Sequence, residues 1–356
     1  MTKIKKYIGQ TLLINILLVL LVLVGLFTFF SFINEVDDIG KQNYGVWQAV
    51  QYVLLETPRN IYSLFPTAAL LGSLAGLGML ANHNELTAMR AAGISIADIA
   101  IAVLRLGLTL MLVAMVIGEV VAPRSEQYAT NMRAIAQSER QQMVFSTRYG
   151  FWARDGNNFI NIRTILADGG FGDVTLYEFD DNRRLQAIVH GAVAYYRNER
   201  WFLEDVEKTQ FDTTQVNKVH LAETFWKAIL NPDLVKIVVV YPEKLSSLGL
   251  YKYIQYLQKS EQNSEKYELA LWTRLSYPLI NIVMILLAVP FVFGSLRSVS
   301  IGQRLLVGAL LGISFHMLNQ ISGHFGLVYG LNPIVSALTP SLLFLGLAVV
   351  LMRRVI

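Results

Sequence analysis

The sequence predicts an α-helical membrane protein with six transmembrane helices and an extracytoplasmic all-β, jelly-roll-like domain inserted between helices 3 and 4. Three observations carry this. Of 356 residues, 54% are hydrophobic and only 16% charged, too apolar a composition for a soluble chain of this size. Six runs reach the roughly 20 apolar residues needed to cross hydrocarbon: about 12–33, 60–81, 99–121, 271–294, 305–325 and 334–352. Between the third and fourth runs, apolar residues alternate with polar ones, the period of a half-buried strand. The chain therefore divides into residues 1–122, 123–268 and 269–356.

The first run is too long for a removable signal peptide and has no small-residue cleavage site. Lys3, Lys5 and Lys6 precede it, and positive residues favour the cytoplasmic side. Arg90 lies between runs two and three, Arg297 and Arg304 between runs four and five, and Arg353 and Arg354 at the end. Both termini and these connectors are expected to be cytoplasmic. The opposite side starts with Glu35, Asp37 and Asp38 in a polar loop, residues 34–57, with a helical piece around 46–55. Span two is read as beginning after Pro58, with Pro66 as a kink and Gly72, Gly76 and Gly78 as points of close helix contact.

Residues 82–93 form a polar connector between spans two and three. Its Ala, Met, Leu, Glu and Arg favour a short helix, Asn82 or Asn84 suits its start, and Gly93 suits its C′ position. Leu86, Met89 and Arg90 fall three and four apart, on one face. Ser95 is placed to cap the next helix. The inserted domain opens with a helical pattern from Ser125 to about Gln142, continuing span three. Strands are expected at 151–154, 159–162, 174–177, 192–196, 201–206, 216–226 and 234–240, with a hairpin turn at Asp155-Gly156-Asn157-Asn158. Ser246 or Ser247 then caps a helix carrying Leu250, Tyr253, Ile254 and Leu257 on one face. There is no cysteine, so no disulfide supports the domain.

No Gly-x-x-x-x-Gly-Lys-Ser/Thr phosphate loop is present, so the chain is not expected to hydrolyse ATP itself. No Gly-x-Ser-x-Gly elbow occurs, and the five histidines show no metal-ligand spacing. Arg105 and Glu119 fall near opposite ends of span three, where long side chains reach the interface. They make no proton relay at mid-membrane. Energy for any transport must come from a partner.

Lys6-Tyr7-Ile8-Gly9, the connector Asn84-Glu85-Leu86 with Met89-Arg90-Ala91-Ala92-Gly93, Gly118-Glu119 and Val121-Ala122-Pro123 resemble the LptF/LptG family. So do Trp152-Ala153-Arg154-Asp155-Gly156-Asn157-Asn158-Phe159, Phe293-Gly294-Ser295-Leu296-Arg297-Ser298 and Tyr329-Gly330. The Trp152 motif, Tyr177-Glu178-Phe179 and Asn182-Arg183-Arg184-Leu185 are closer to the LptG branch than to the LptF branch. These are permease subunits of an ABC transporter that moves lipopolysaccharide from the bacterial inner membrane, through a periplasmic bridge, towards the outer membrane.

The resemblance implies a heterodimer with LptF, two copies of the ATPase LptB, LptC nearby, and the β-domain in the periplasm. It implies no cofactor in this chain; ATP and magnesium belong to the partner ATPase. The connector becomes the coupling helix, with Glu85, Leu86, Met89 and Arg90 matching its motif. Substrate contacts are expected from Phe27, Phe30, Leu64, Phe65, Ile313 and Phe315 for acyl chains, and from Arg59, Arg133, Lys41 and Arg124 for lipid A phosphates. Ser31, Asp37 and Asp38 depart from the basic outer end of span one expected in relatives. The alternative is a mechanotransmission subunit that acts on periplasmic partners without moving lipid. Six spans and apolar cavity candidates favour the permease.

Overall fold

The computed structural model describes residues 2–137, 143–155, 157–166, 170–180, 182–197, 200–212, 215–226, 245–260, 262–294 and 299–355. The chain forms two compact units. One comprises Met1–Asn34, Val53–Glu126 and Glu265–Ile356; the other comprises Glu35–Tyr52 and Gln127–Ser264.

The helical unit draws on α1 (Thr2–Val36), α2 (Val46–Asn82), α3 (Glu85–Ala91), α4 (Ile96–Val116), α7 (Glu265–Leu275), α8 (Tyr277–Phe293), α9 (Ile301–Val328) and α10 (Pro333–Arg353). Five helices are long and apolar enough to cross a membrane, and α7 with α8, bent by 44° at their junction, make a sixth if counted as one. Its core is built from Ile8, Leu12 and Ile16 of α1, Leu70, Leu74 and Leu77 of α2, Ile99 and Val103 of α4, and Val283 and Leu287 of α8. Gly72 lets α1 approach α2 closely; a Cβ there would lie 2.7 Å from the Ile16 backbone nitrogen.

Proline placement explains where the sequence reading and the structure differ. Instead of a loop helix followed by a span after Pro58, α2 is one helix with Pro58 and Pro66 inside it. A proline cannot bond the carbonyl four residues earlier. The carbonyl that Pro66 leaves open is that of Tyr62, and the Tyr277 hydroxyl donates to it. Pro340 in α10 leaves open the Ser336 carbonyl, and the Ser322 hydroxyl of α9 donates there at 2.7 Å. With such donors in place, proline does not end a helix inside a bundle.

The helix of span three runs from Ile96 to Gln137, as expected for its extension, but passes through a π turn at Ile117–Val121 before α5 (Ala122–Gln137). The sheet unit holds β1 (Met143–Asp155), β2 (Asn158–Leu166), β3 (Phe171–Phe179), β4 (Leu185–Arg197), β5 (Arg200–Phe211) and β6 (Val216–Trp226). They form one antiparallel sheet in sequence order, and the Asp155–Asn158 pair closes the expected first hairpin. Ile160, Ile162, Val174, Leu176, Val189, Leu203 and Val206 are buried, and Trp201 stacks on Phe171 at 4.2 Å. The strand expected at 234–240 lies outside the described residues. α6 (Ser247–Lys259) is capped by Ser246, whose hydroxyl accepts from the Gly249 amide at 3.2 Å, and it buries Leu250, Tyr253, Ile254 and Leu257.

Candidate functional site

The connector folds as the single short helix α3, and its ends explain its sequence. Gly93 adopts a left-handed φ of +86°, its amide bonds the Arg90 carbonyl at 3.0 Å, and the Ile94 amide reaches back to Met89 at 3.1 Å. That is the Schellman ending, and glycine supplies it without strain. At the other end Asn84 is itself left-handed, φ 59°, and its side chain makes no cap bond. The Ser95 hydroxyl caps α4 by accepting from the Asp98 amide at 3.1 Å.

The face shared by Leu86, Met89 and Arg90 splits by depth. Leu86 is buried in the bundle core and Met89 packs against it. Arg90, Thr87, Ala88 and Ala91 are exposed, and Glu85 is half-buried with the His83 ring at 3.9 Å. Leu86 and Met89 therefore hold the helix down and Arg90 is left exposed, while Glu85 also bonds the Tyr7 hydroxyl. Asn84, Leu86, Thr87 and Arg90 share a groove of about 400 Å³ with Val292 and Phe293 at the end of α8.

The expected acyl contacts also separate. Phe27, Phe30 and Ile313 are 50%, 59% and 56% exposed, and Leu64 is half-buried. Phe65 and Phe315 are core residues; Phe315 meets Phe344 edge-on at 5.2 Å. Among the basic residues, Arg124 is exposed and Arg59 half-buried. Lys41 pairs with Asp38. Arg133 is gripped from three sides: its Nε meets Glu35 at 3.2 Å, its Nη2 meets Asp38, and the guanidinium lies 5.0 Å from the Tyr52 ring centre. The Tyr44 hydroxyl donates to the buried Glu35 at 2.7 Å. Asp38, which looked out of place beside basic residues, is thus the counter-charge of two of them. Asp37 is exposed.

Sequence reasoning missed two buried arginines. Arg304, counted as a flanking charge, is buried in the bundle and donates to the Gly78 carbonyl near the end of α2 at 2.7 Å. A cation there faces the negative end of the helix dipole. Gly78 must be small, since a Cβ would come within 2.6 Å of the Arg304 Nη1. Arg274 lies in the last turn of α7, and its Nε meets Glu119 at 3.0 Å, so Glu119 is ion-paired within the bundle rather than reaching alone for the interface. The only sequence signal for Arg274 was a lone charge at the start of an apolar run.

Residues 6–354 match the family model described as lipopolysaccharide export system permease LptF/LptG. The lipopolysaccharide export system permease protein LptG of Escherichia coli K12 is 38% identical over 354 residues, covering 98% of this chain and 97% of that protein. The protein of the same name from Haemophilus influenzae is 38% identical over 343 residues, covering 96% and 95%.

Proposed function

Because this chain belongs to the LptF/LptG family of lipopolysaccharide export permeases, we propose that it extracts lipopolysaccharide from the inner membrane and passes it to a periplasmic bridge leading to the outer membrane. The observation that carries the proposal is the end-to-end match, which runs through the helices, the connector and the sheet alike. In this reading α7 and α8 together make one span, giving six. Both termini and α3 are cytoplasmic, in keeping with Lys3, Lys5, Lys6, Arg90, Arg353 and Arg354 on that side. The sheet unit is periplasmic and belongs to a jelly roll.

The chain pairs with LptF, and two copies of LptB hydrolyse ATP with magnesium beneath them, with LptC nearby. α3 is the coupling helix. Leu86 and Met89 keep it seated on its own bundle, so Glu85 and Arg90 supply the polar contacts to LptB. A half-buried carboxylate at the start of α3 and an exposed guanidinium near its end would fix both position and direction in a partner's groove. Phe27, Phe30 and Ile313, with Leu64, meet acyl chains, while Phe65 and Phe315 support that surface from within. Arg59 and Arg124, with Lys41, meet lipid A phosphates. Arg133 meets them only by exchanging Glu35 and Asp38 for phosphate oxygens.

Proteoliposomes containing this chain with LptF, LptB and LptC, loaded with lipopolysaccharide, test the proposal directly. ATP should release lipopolysaccharide to a soluble periplasmic acceptor. Arg90→Glu should insert and assemble in the membrane normally yet lower ATP-dependent release about tenfold or more, as charge reversal in a polar contact does. Release at the wild-type rate in that variant would remove α3 from the coupling path.

A further inference from the structure

Three departures from regular helix meet at one place in the helical unit. Pro66 leaves the Tyr62 carbonyl of α2 without its helical donor. The π turn at Ile117–Val121 interrupts the ladder of span three. The chain bends by 44° between α7 and α8. Well under 1% of residues are in π turns, and such turns gather at functional positions.

Arg274 and Tyr277 stand on either side of the bend, and each answers one of the other two departures. The Tyr277 hydroxyl donates to the Tyr62 carbonyl, and the two rings stack with centres 4.0 Å apart. Arg274 donates from Nη2 to the Gly118 carbonyl inside the π turn at 3.3 Å, while its Nε pairs with Glu119 at 3.0 Å. Its guanidinium also lies 5.8 Å from the centre of the Tyr62 ring. Gly118 has no side chain because the Tyr62 ring fills the space a Cβ would need.

We propose that Arg274 and Tyr277 are positioning residues for transport, forming a latch that locks the proline joint of α2. α2 ends at Asn82, three residues before α3 begins, so a push on the connector acts on the end of α2. Beyond Pro66, the same helix carries Arg59 and Leu64. A regular helix passes such a push along as a rod, but a proline makes a joint at which it is lost. The Tyr277 hydroxyl closes that joint from outside the helix. One hydroxyl can let go and return without unfolding α2, while the Arg274–Glu119 pair keeps the bend and the π turn in register. The latch gives α2 two states, and it sets whether the connector moves the Arg59–Leu64 segment.

The inference rests on the transport reading above, and Tyr277→Phe tests it because it keeps the stacked ring and removes only the donor. In the reconstituted complex, assembly and ATP hydrolysis should stay within about twofold of wild type. Lipopolysaccharide moved per ATP should fall about tenfold, the scale of one lost buried hydrogen bond. Arg274→Lys keeps a cation for Glu119 but loses the fork that also reaches Gly118, and should fall between the two. An unchanged ratio of lipid to ATP in Tyr277→Phe, or an equal fall in both rates, overturns the latch.

A second measurement needs no lipid transport. Spin labels at the exposed positions Ser63 and Ala88, above and below the joint, should change separation with the partner's nucleotide state in wild type and not in Tyr277→Phe. The same change in both proteins overturns the latch; absent lipid transport by the wild type counts against the transport reading instead.

Discussion

Both units bury an apolar core, but they differ in where their charged residues go and in how much apolar surface the helices turn outwards. In the helical unit Leu21, Phe29, Leu310 and Val328 face outwards, while Arg274, Arg304, Ser73, Asn281 and Ser341 are buried. In the sheet unit Trp201, Phe171, Leu203 and Val206 are buried, while Glu207, Lys218 and Arg197 face outwards. The difference follows from the solvent each unit answers to. Lipid tails are as apolar as leucine, so burying leucine in a bundle gains little, and the helices are held by close backbone approach and polar contacts. In water, burial itself drives the packing.

The largest effect expected from this contrast is in the sheet. Trp201→Ala removes a fully buried ring stacked on Phe171 and should destabilise the sheet unit by about 3–5 kcal/mol. Leu21→Ala, at a residue 74% exposed on α1, should stay within about 0.5 kcal/mol. Protease-resistance midpoints of the two units in the full-length protein measure both. Equal losses would abolish the contrast.

The two units also differ in how legible they were. Spans were readable because a run of apolar residues is a sum over twenty positions, and one odd residue does not cancel it. What a sum cannot reveal is where an exception is answered. Pro58 read as a start signal because local rules end helices at proline, whereas the donors that keep α2 continuous come partly from far along the chain. Tyr277 is 215 residues from Tyr62. Arg304 looked like an interface flank and Arg274 drew no reading for the same reason: the Gly78 and Gly118 carbonyls they reach are backbone and leave no mark in sequence.

In the sheet the central strands were found from alternation, and the hairpin from Asp-Gly-Asn-Asn. Their ends were not. β4 begins at Leu185 and β5 runs to Phe211, through Gln186 and through Glu207–Gln210, where polar residues hide the period. On α3 the motif was legible as a unit, but its division into inward Leu86 and outward Arg90 needed the packing.

A middle-sized effect tests the bundle's side of the contrast. Gly72→Val places a branched side chain against the Ile16 backbone, which cannot swing aside as a side chain can. Overpacking of this kind should cost about 1–3 kcal/mol and separate α1 from α2. A cysteine pair at positions 12 and 76, where Leu12 lies against Gly76, reports the separation as lost crosslinking. Undiminished crosslinking in the Gly72→Val background would mean that α1 is not held by close approach.

The smallest effect is electrostatic and belongs to the sheet alone. Glu207 on β5 accepts a hydrogen bond from Lys218 on β6 at 2.7 Å, and this bond, with the charges of Lys218, His190 and His220, holds its carboxyl below the usual value. A depressed carboxylate stabilises the fold above its unfolded pKa, near 4.3 for glutamate, and that contribution is lost as pH falls through the folded pKa. Both side chains are exposed, so water and salt screen the pair. Glu207→Gln should therefore leave the sheet unit almost unchanged at neutral pH. It should flatten a small part of the acid limb below about pH 4, with the difference shrinking as salt is raised. Protease-resistance midpoints taken from pH 3 to pH 7 at two salt concentrations give the measurement. A large loss at neutral pH would mean that the pair is held as the bundle holds Arg274 and Glu119, and the contrast between the two units would fail at its electrostatic end.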